Sequence, residues 1–270
     1  MFKFFFALAP VEEILPWGDG INSKLHWFGL TDGHYWISTP LGDALRYQNA
    51  FQTKWKVSSP YVDYQVARLF EDLQNILPAV LEPVPSDIAT FVANSGWFDS
   101  VERWIELAAD EDMQHERSRL YRDAINWYSE RTLDSMHLED GPNFHFLRIG
   151  NDIRVRWEVK EKEENEKWTL PYGEFSLGTE QFASAAYSFL DELIEAMQSR
   201  IDSIVKHGWT RNDCTLDLAV LIAEQKQRKL RIKKLKHLTV NTDWNNVRAL
   251  LQQLTRKLIN SNIQCLPINE

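Results

Sequence analysis

The chain has 270 residues, 44% of them hydrophobic, with a net charge of −9 and a pI near 5.4. That length allows one large core or two small ones, and the acidic balance argues against a general nucleic-acid or anionic-membrane binder, whose affinity comes from basic surface. The two cysteines, Cys214 and Cys265, form no metal-ligand spacing or disulfide framework and fit a reducing compartment.

The N-terminus, MFKFFFALAP, has too short an apolar run and no small-residue cleavage site, so it reads as a strand over 2–8 and not as a signal peptide. Pro10 ends it, and a loop with Pro16, Gly18 and Gly20 extends to Asn22. The stretch LHWFGLTDGHYWI, Leu25 to Ile37, predicts a β-hairpin turning at Asp32-Gly33. In that register Trp36 lies over Gly29, an aromatic covering a strand glycine. Residues 41–47 add a strand, so the first quarter is a small antiparallel sheet.

Helices follow. Val66, Leu69, Phe70, Leu73 and Leu77 have helical spacing, and Pro83 and Pro85 stop that segment. Ser86 caps a short helix to about Ala93. In the next, Phe98, Val101, Ile105 and Ala108 share a face beside an acidic stripe of Asp99, Glu102, Glu106 and Asp110, continued by Glu111 and Asp112. A longer helix is expected over about 112–136.

The pattern then returns to strands. Residues 144–159 predict a second hairpin turning near Gly150-Asn151-Asp152, with Phe144, Phe146, Ile153, Val155 and Trp157 on one side. Residues 160–167 are a charged excursion. Residues 168–177 continue the sheet as an edge, because Pro171 cannot donate to a ladder. Thr179 is placed to cap a helix whose stripe is Phe182, Ala186, Phe189, Leu193, Met197 and Ile204, with Gly208 at its end. Further helices are expected from Asn212 or Asp213 to about Leu235, and from Thr242 or Asp243 onward.

Strands followed by helices occur twice, which predicts an α+β fold with two short antiparallel β segments, each followed by packed helices. With no Pro/Gly/Ser-rich linker, 1–270 reads as a single compact unit; the alternative is a division into 1–138 and 143–260. No run approaches the ~18 apolar residues of a membrane span, so a cytoplasmic protein is expected.

The segments FKFFFALAPVEEILPWG and LHWFGLTDGHYWI resemble the start of a family of uncharacterised bacterial proteins, and LRIGNDIRVRWEV, with Phe175 and Phe182 beyond it, is similar to that family's C-terminal half. The resemblance implies a bacterial cytosolic protein. It brings no activity and no catalytic residue to carry over.

Motifs for chemistry are sparse. Gly18-Asp19-Gly20 lacks the strand-turn-helix context of a phosphate loop, and no Gly-x-Ser-x-Gly elbow is present. His115-Glu116 lacks the second histidine of a zinc-protease motif. No cofactor, metal or catalytic residue is expected. The reading that remains is a non-enzymatic binding protein, most concretely an immunity-type protein that covers the active surface of a basic toxin. Its contacts are expected on Asp99, Glu102, Glu106, Asp110, Glu111 and Asp112 and on the 160–167 excursion. The alternatives are an enzyme with a pocket lined by Trp17, Trp27, Asp32, His34 and Trp36, or nucleic-acid binding through the basic run 226–236. The second of these is disfavoured by the net charge. His145 is expected to share a sheet face with Arg154 or Arg156.

Overall fold

The computed structural model describes residues 1–18, 23–93, 95–135, 137–138, 141–159, 167–261 and 263. The apolar N-terminal run becomes β1 (Lys3–Leu8), paired antiparallel with β3 (Gly33–Thr39), Phe4 opposite Ile37 and Phe6 opposite Tyr35. β4 (Gly42–Ala44) and β5 (Val62–Asp63) also pair antiparallel with β3. Period-two alternation sets the faces: Phe4, Tyr35 and Ile37 are buried, while Phe5, His34 and Trp36 are half-buried on the outer face.

The hairpin expected over residues 25–37 does not form. β2 (Lys24–Leu25) pairs in parallel with β10 (Thr215–Leu216). A turn of 3-10 helix at Gly29–Thr31 follows, with the Thr31 hydroxyl donating to Phe28 O at 2.7 Å. The physical reason lies at Gly33. A Cβ there would sit 2.2 Å from Ala7 O and 2.8 Å from Leu8 Cα, so this glycine allows β1 to approach and is not there to make a tight turn. Trp36 accordingly stacks between Phe5 (5.2 Å) and Tyr61 (4.0 Å), away from Gly29.

The second hairpin forms as expected. The other sheet runs β6 (Thr132–Leu133), β7 (Asn143–Ile149), β8 (Asp152–Glu158) and β9 (Tyr172–Gly178) in that order, all antiparallel. Ile149 faces Asp152 across a two-residue turn, and Gly150 takes φ 63° there. β9 is the edge. Trp157 lies directly over Gly173, whose missing side chain leaves room for the ring; an added Cβ would be 2.2 Å from it. The aromatic-over-glycine device thus occurs in this sheet and not the first.

One long helix packs on both sheets. α6 (Thr179–His207) buries Phe182 and Phe189, which meet Phe4 of the first sheet, and Phe182 also meets Phe146 of the second. Gly178, and not Thr179, is its N-cap, and Gly208 ends it with φ 79°. α2 (Val66–Val80) packs against α6 and strands of both sheets, burying Leu69, Phe70, Leu73 and Leu77. α7 (Leu218–Leu235) lies on α6 and α2. It starts later than expected because Asp213 pairs with Arg211, leaving Asp217 to accept from Val220 N–H as the cap. α1 (Asn49–Trp55) lies on the surface and buries none of its residues.

A second core gathers α3 (Ser86–Ala93), α4 (Ser95–Glu106), α5 (Glu111–Ser129) and α8 (Trp244–Asn260) around Trp97, Trp104, Trp127, Leu251 and Leu254. α8 thus closes onto helices more than a hundred residues earlier. α5 ends at Ser129, short of the expected 136, and Arg131 follows it into the interior. Arg131 is fully buried; it donates to Glu82 Oε2 (2.5 Å) and Trp127 O (2.6 Å) and lies against the Trp127 and Trp244 rings. Glu82 also accepts from the Thr242 N–H (2.7 Å) and hydroxyl (2.5 Å). This network ties the end of α2 to both ends of the second core. Among the described residues, no helix is long and apolar enough to cross a membrane.

Candidate functional site

The five residues expected to line one pocket do not converge. Trp27 is fully buried; its Nε1–H donates to Gln225 (2.7 Å), and the Arg228 guanidinium covers its ring at 4.0 Å. Trp17 lies at the surface with its edge against His26. Trp36 and His34 share the outer face of the first sheet, where His34 Nδ1 lies 4.0 Å from Asp63. Asp32 is separate, accepting from Gln65; burial and then the charge of Asp63 push its carboxyl above the usual range.

A polar cluster that sequence reasoning missed sits where the first sheet, α2 and the loop after β6 meet. The hydroxyl of Tyr35, a residue 1% exposed, lies 2.7 Å from His137 Nε2, and the His137 ring packs on Tyr64 at 4.8 Å. Burial and then the Arg68 charge push His137 down to about 4, so its imidazole is neutral. Burial pushes Tyr35 far up, so Tyr35 keeps its proton and donates to Nε2. That leaves the proton of His137 on Nδ1, a buried atom with no hydrogen-bond partner among the described residues. Beside it, Arg68 pairs with Asp72 at 2.9 Å, one helical turn along α2. Burial pushes Asp72 up to about 6, against the pull of Arg68 and with help from Asp134 and Glu71. The Arg68/Asp72 spacing was legible in the sequence; the loop that brings His137 to it was not.

The acidic residues divide between two helices. Asp99, Glu102 and Glu106 are exposed on α4. Asp110 caps α5, accepting from Met113 N–H, and Glu111 and Asp112 occupy the first turn of α5. Residues 95–117 carry Asp99, Glu102, Glu106, Asp110, Glu111, Asp112 and Glu116 against Arg103 and Arg117, and Arg117 reaches back to donate to Trp104 O and Met113 Sδ. Among the described residues, Asp99, Glu106, Glu111 and Asp112 form no ion pair. Elsewhere, Glu71 pairs with Arg228, Asp87 with Arg248 and Asp191 with Lys236. Exposed Leu107 and Met113 lie among these acids. Residues 160–166 of the charged excursion lie outside the described residues.

The basic run on α7 is partly engaged internally. Arg228 pairs with Glu71, Arg231 donates to Asn75 and Lys236 pairs with Asp191, all on α2 or α6. His145 does share the outer face of the second sheet with Arg154 and Arg156, and its ring stacks on Tyr128 at 4.5 Å. Both arginines are paired, with Glu174 and Glu158. Among the described residues, no group of three His, Cys, Asp or Glu is placed to hold a metal.

No curated protein and no solved structure matches the chain. Over residues 3–250, which take in both sheets, the polar cluster and the acidic tip, the sequence matches the Family of unknown function (DUF5984), and the chain belongs to that family.

Proposed function

We propose that this protein is a bacterial, cytoplasmic binding protein that engages a basic protein partner through the acidic tip of α4 and α5. Its most concrete form is an immunity-type protein that covers the active surface of a toxin. One observation carries the reading: exposed carboxylates, of which Asp99, Glu106, Glu111 and Asp112 form no ion pair among the described residues, surround the exposed apolar side chains of Leu107 and Met113. Carboxylates of this kind raise association rates with a cationic surface, while Leu107 and Met113 supply apolar contact. The second core beneath the tip fixes its shape through Trp97, Trp104 and Trp127.

The test is retention of a basic protein from native cytosol by the wild-type chain and by E102K/E106K. Loss of retention in the variant and at high salt, with inhibition of the retained protein's activity, supports the reading. A complex that survives both treatments removes the electrostatic mechanism.

A second reading, an enzyme, is favoured by the Tyr35–His137 and Arg68–Asp72 cluster, which places a neutral imidazole beside a carboxyl with raised proton affinity. A turnover found in small-molecule screening and abolished by Asp72→Asn, with the fold intact, would establish it.

A further inference from the structure

Helix α1 ends in an exposed aromatic side chain. Trp168, fully buried, stacks on Tyr47 at 5.0 Å; Tyr47 stacks on Phe51 at 5.0 Å, and Phe51 meets Trp55 at 6.2 Å. This column runs from the core to the surface and ends in Trp55, which is 62% exposed. The column and two glutamines hold the helix in place: Gln48 Nε2 donates to Trp168 O and Gln52 Nε2 donates to Tyr47 O, each at 3.0 Å. Lys54 and Lys56 flank Trp55. Both are exposed, and neither forms an ion pair among the described residues. Lys54 Nζ lies 5.4 Å from the Trp55 ring centre, and Lys56 ends the helix in the left-handed conformation. The result is an exposed aromatic ring between two cations, and aromatic residues of this kind dominate binding energy at protein interfaces.

We propose that this face receives the acidic α4–α5 tip of a second copy of the same chain. The two surfaces are complementary in charge and in apolar content. The tip offers Glu106, Glu111 and Asp112 to Lys54 and Lys56, and it offers Leu107 to the Trp55 ring, with Met113, whose thioether accepts from Arg117, beside it. The net charge of −9 opposes association as a whole, but at about 0.1 M salt charges more than about 10 Å apart are largely screened, and the local match governs. Because the two patches differ, the contact is heterologous. It closes as a ring or extends as a string, and each copy covers the next copy's tip. The inference shares the tip with the function proposed above but requires no foreign partner. If both hold, a basic partner and self-association compete for one surface.

Sedimentation velocity of the full chain over a concentration series, at about 50 mM and about 500 mM salt, tests it. Expected are a mass that rises with concentration at low salt and a monomer at high salt. Trp55→Ser and K54E/K56E should each weaken association by about tenfold or more; both alter exposed side chains and leave the cores intact. K54E/K56E and E102K/E106K, each monomeric alone, should regain association when mixed, in equal proportions. Zero-length cross-linking of mixed isotope-labelled and unlabelled protein should join Lys54 or Lys56 of one copy to tip carboxylates of another. A monomer at every concentration in low salt overturns the proposal, as do cross-links from these lysines only to carboxylates of their own chain. K54E/K56E keeps the tip, so its retention of a basic partner reports on the proposed function separately.

Discussion

Replacing Glu82 by alanine should destabilise the protein by about 4 kcal/mol. Arg131 is fully buried and Glu82 is its ion partner at 2.5 Å, with a side chain only 11% exposed. Breaking a buried pair from one side costs about 3–5 kcal/mol, because the remaining charge is left desolvated. The Thr242 N–H and hydroxyl lose the same acceptor, worth about 1 kcal/mol each where water does not replace it. Water entering beside the partly open Glu82 site keeps the total within that range, and burial, which already lowers the proton affinity of Arg131, shows the cost of its charge. Urea unfolding followed by tryptophan fluorescence measures the effect, Trp127 and Trp244 being the rings that flank Arg131. The control is Glu82→Ala combined with Arg131→Met, which removes the charge along with its partner and should recover at least about half of the loss. A single-variant cost below about 1 kcal/mol, or a double variant less stable than the single, would refute the reasoning.

Three further outcomes follow from the geometry. Asp72, raised to about 6 in the fold, contributes stability that is fully present below its ordinary value of 3.8 and is lost as pH rises through 6. His137, lowered to about 4, contributes stability that is present above its ordinary 6.5 and is lost as pH falls through 4. The two offset one another between these limits, so Asp72→Asn should make stability fall more steeply than in the wild type from pH 6.5 to 4, by at most about 1.4 kcal/mol per pH unit. Equal slopes for variant and wild type in urea midpoints would count against this account. Gly33→Ala drives a Cβ into β1 and should cost about 2–3 kcal/mol or prevent folding, and an unchanged melting temperature would show that β1 can give way. Trp27→Phe removes the 2.7 Å bond to Gln225 and leaves a buried acceptor unpaired, for a loss of about 1–3 kcal/mol in thermal or urea unfolding; a loss within error would mean that Gln225 finds another donor.

The contrast between the two hairpin segments shows what the sequence carries. LRIGNDIRVRWEV folds as read because its turn, its alternation and its partner strand are all local. LHWFGLTDGHYWI has an equally good local pattern, but β1 competes for its second half, and β1 lies more than twenty residues away in sequence. Alternation still placed Tyr35 and Ile37 inward and His34 and Trp36 outward, because period two survives a change of partner. The acidic stripe was visible as composition, yet its division between two helices turns on one cap, Asp110. The Tyr35–His137 contact joins residues 102 apart in sequence, and no periodicity encodes a contact of that kind. The α+β class itself was legible because it depends only on the order of the patterns.

The closure of α8 onto α3–α5 has a consequence for how the chain is made. During synthesis at about 5–20 residues per second, the helices of residues 86–129 emerge well before their fourth partner at 244–260. Until Leu251, Leu254 and Leu258 arrive, the apolar side of that bundle has only three helices to cover it. The second core is therefore completed only once α8 has emerged, and until then the nascent chain carries an unfinished hydrophobic face. That is the interval in which a chaperone would matter most to this protein.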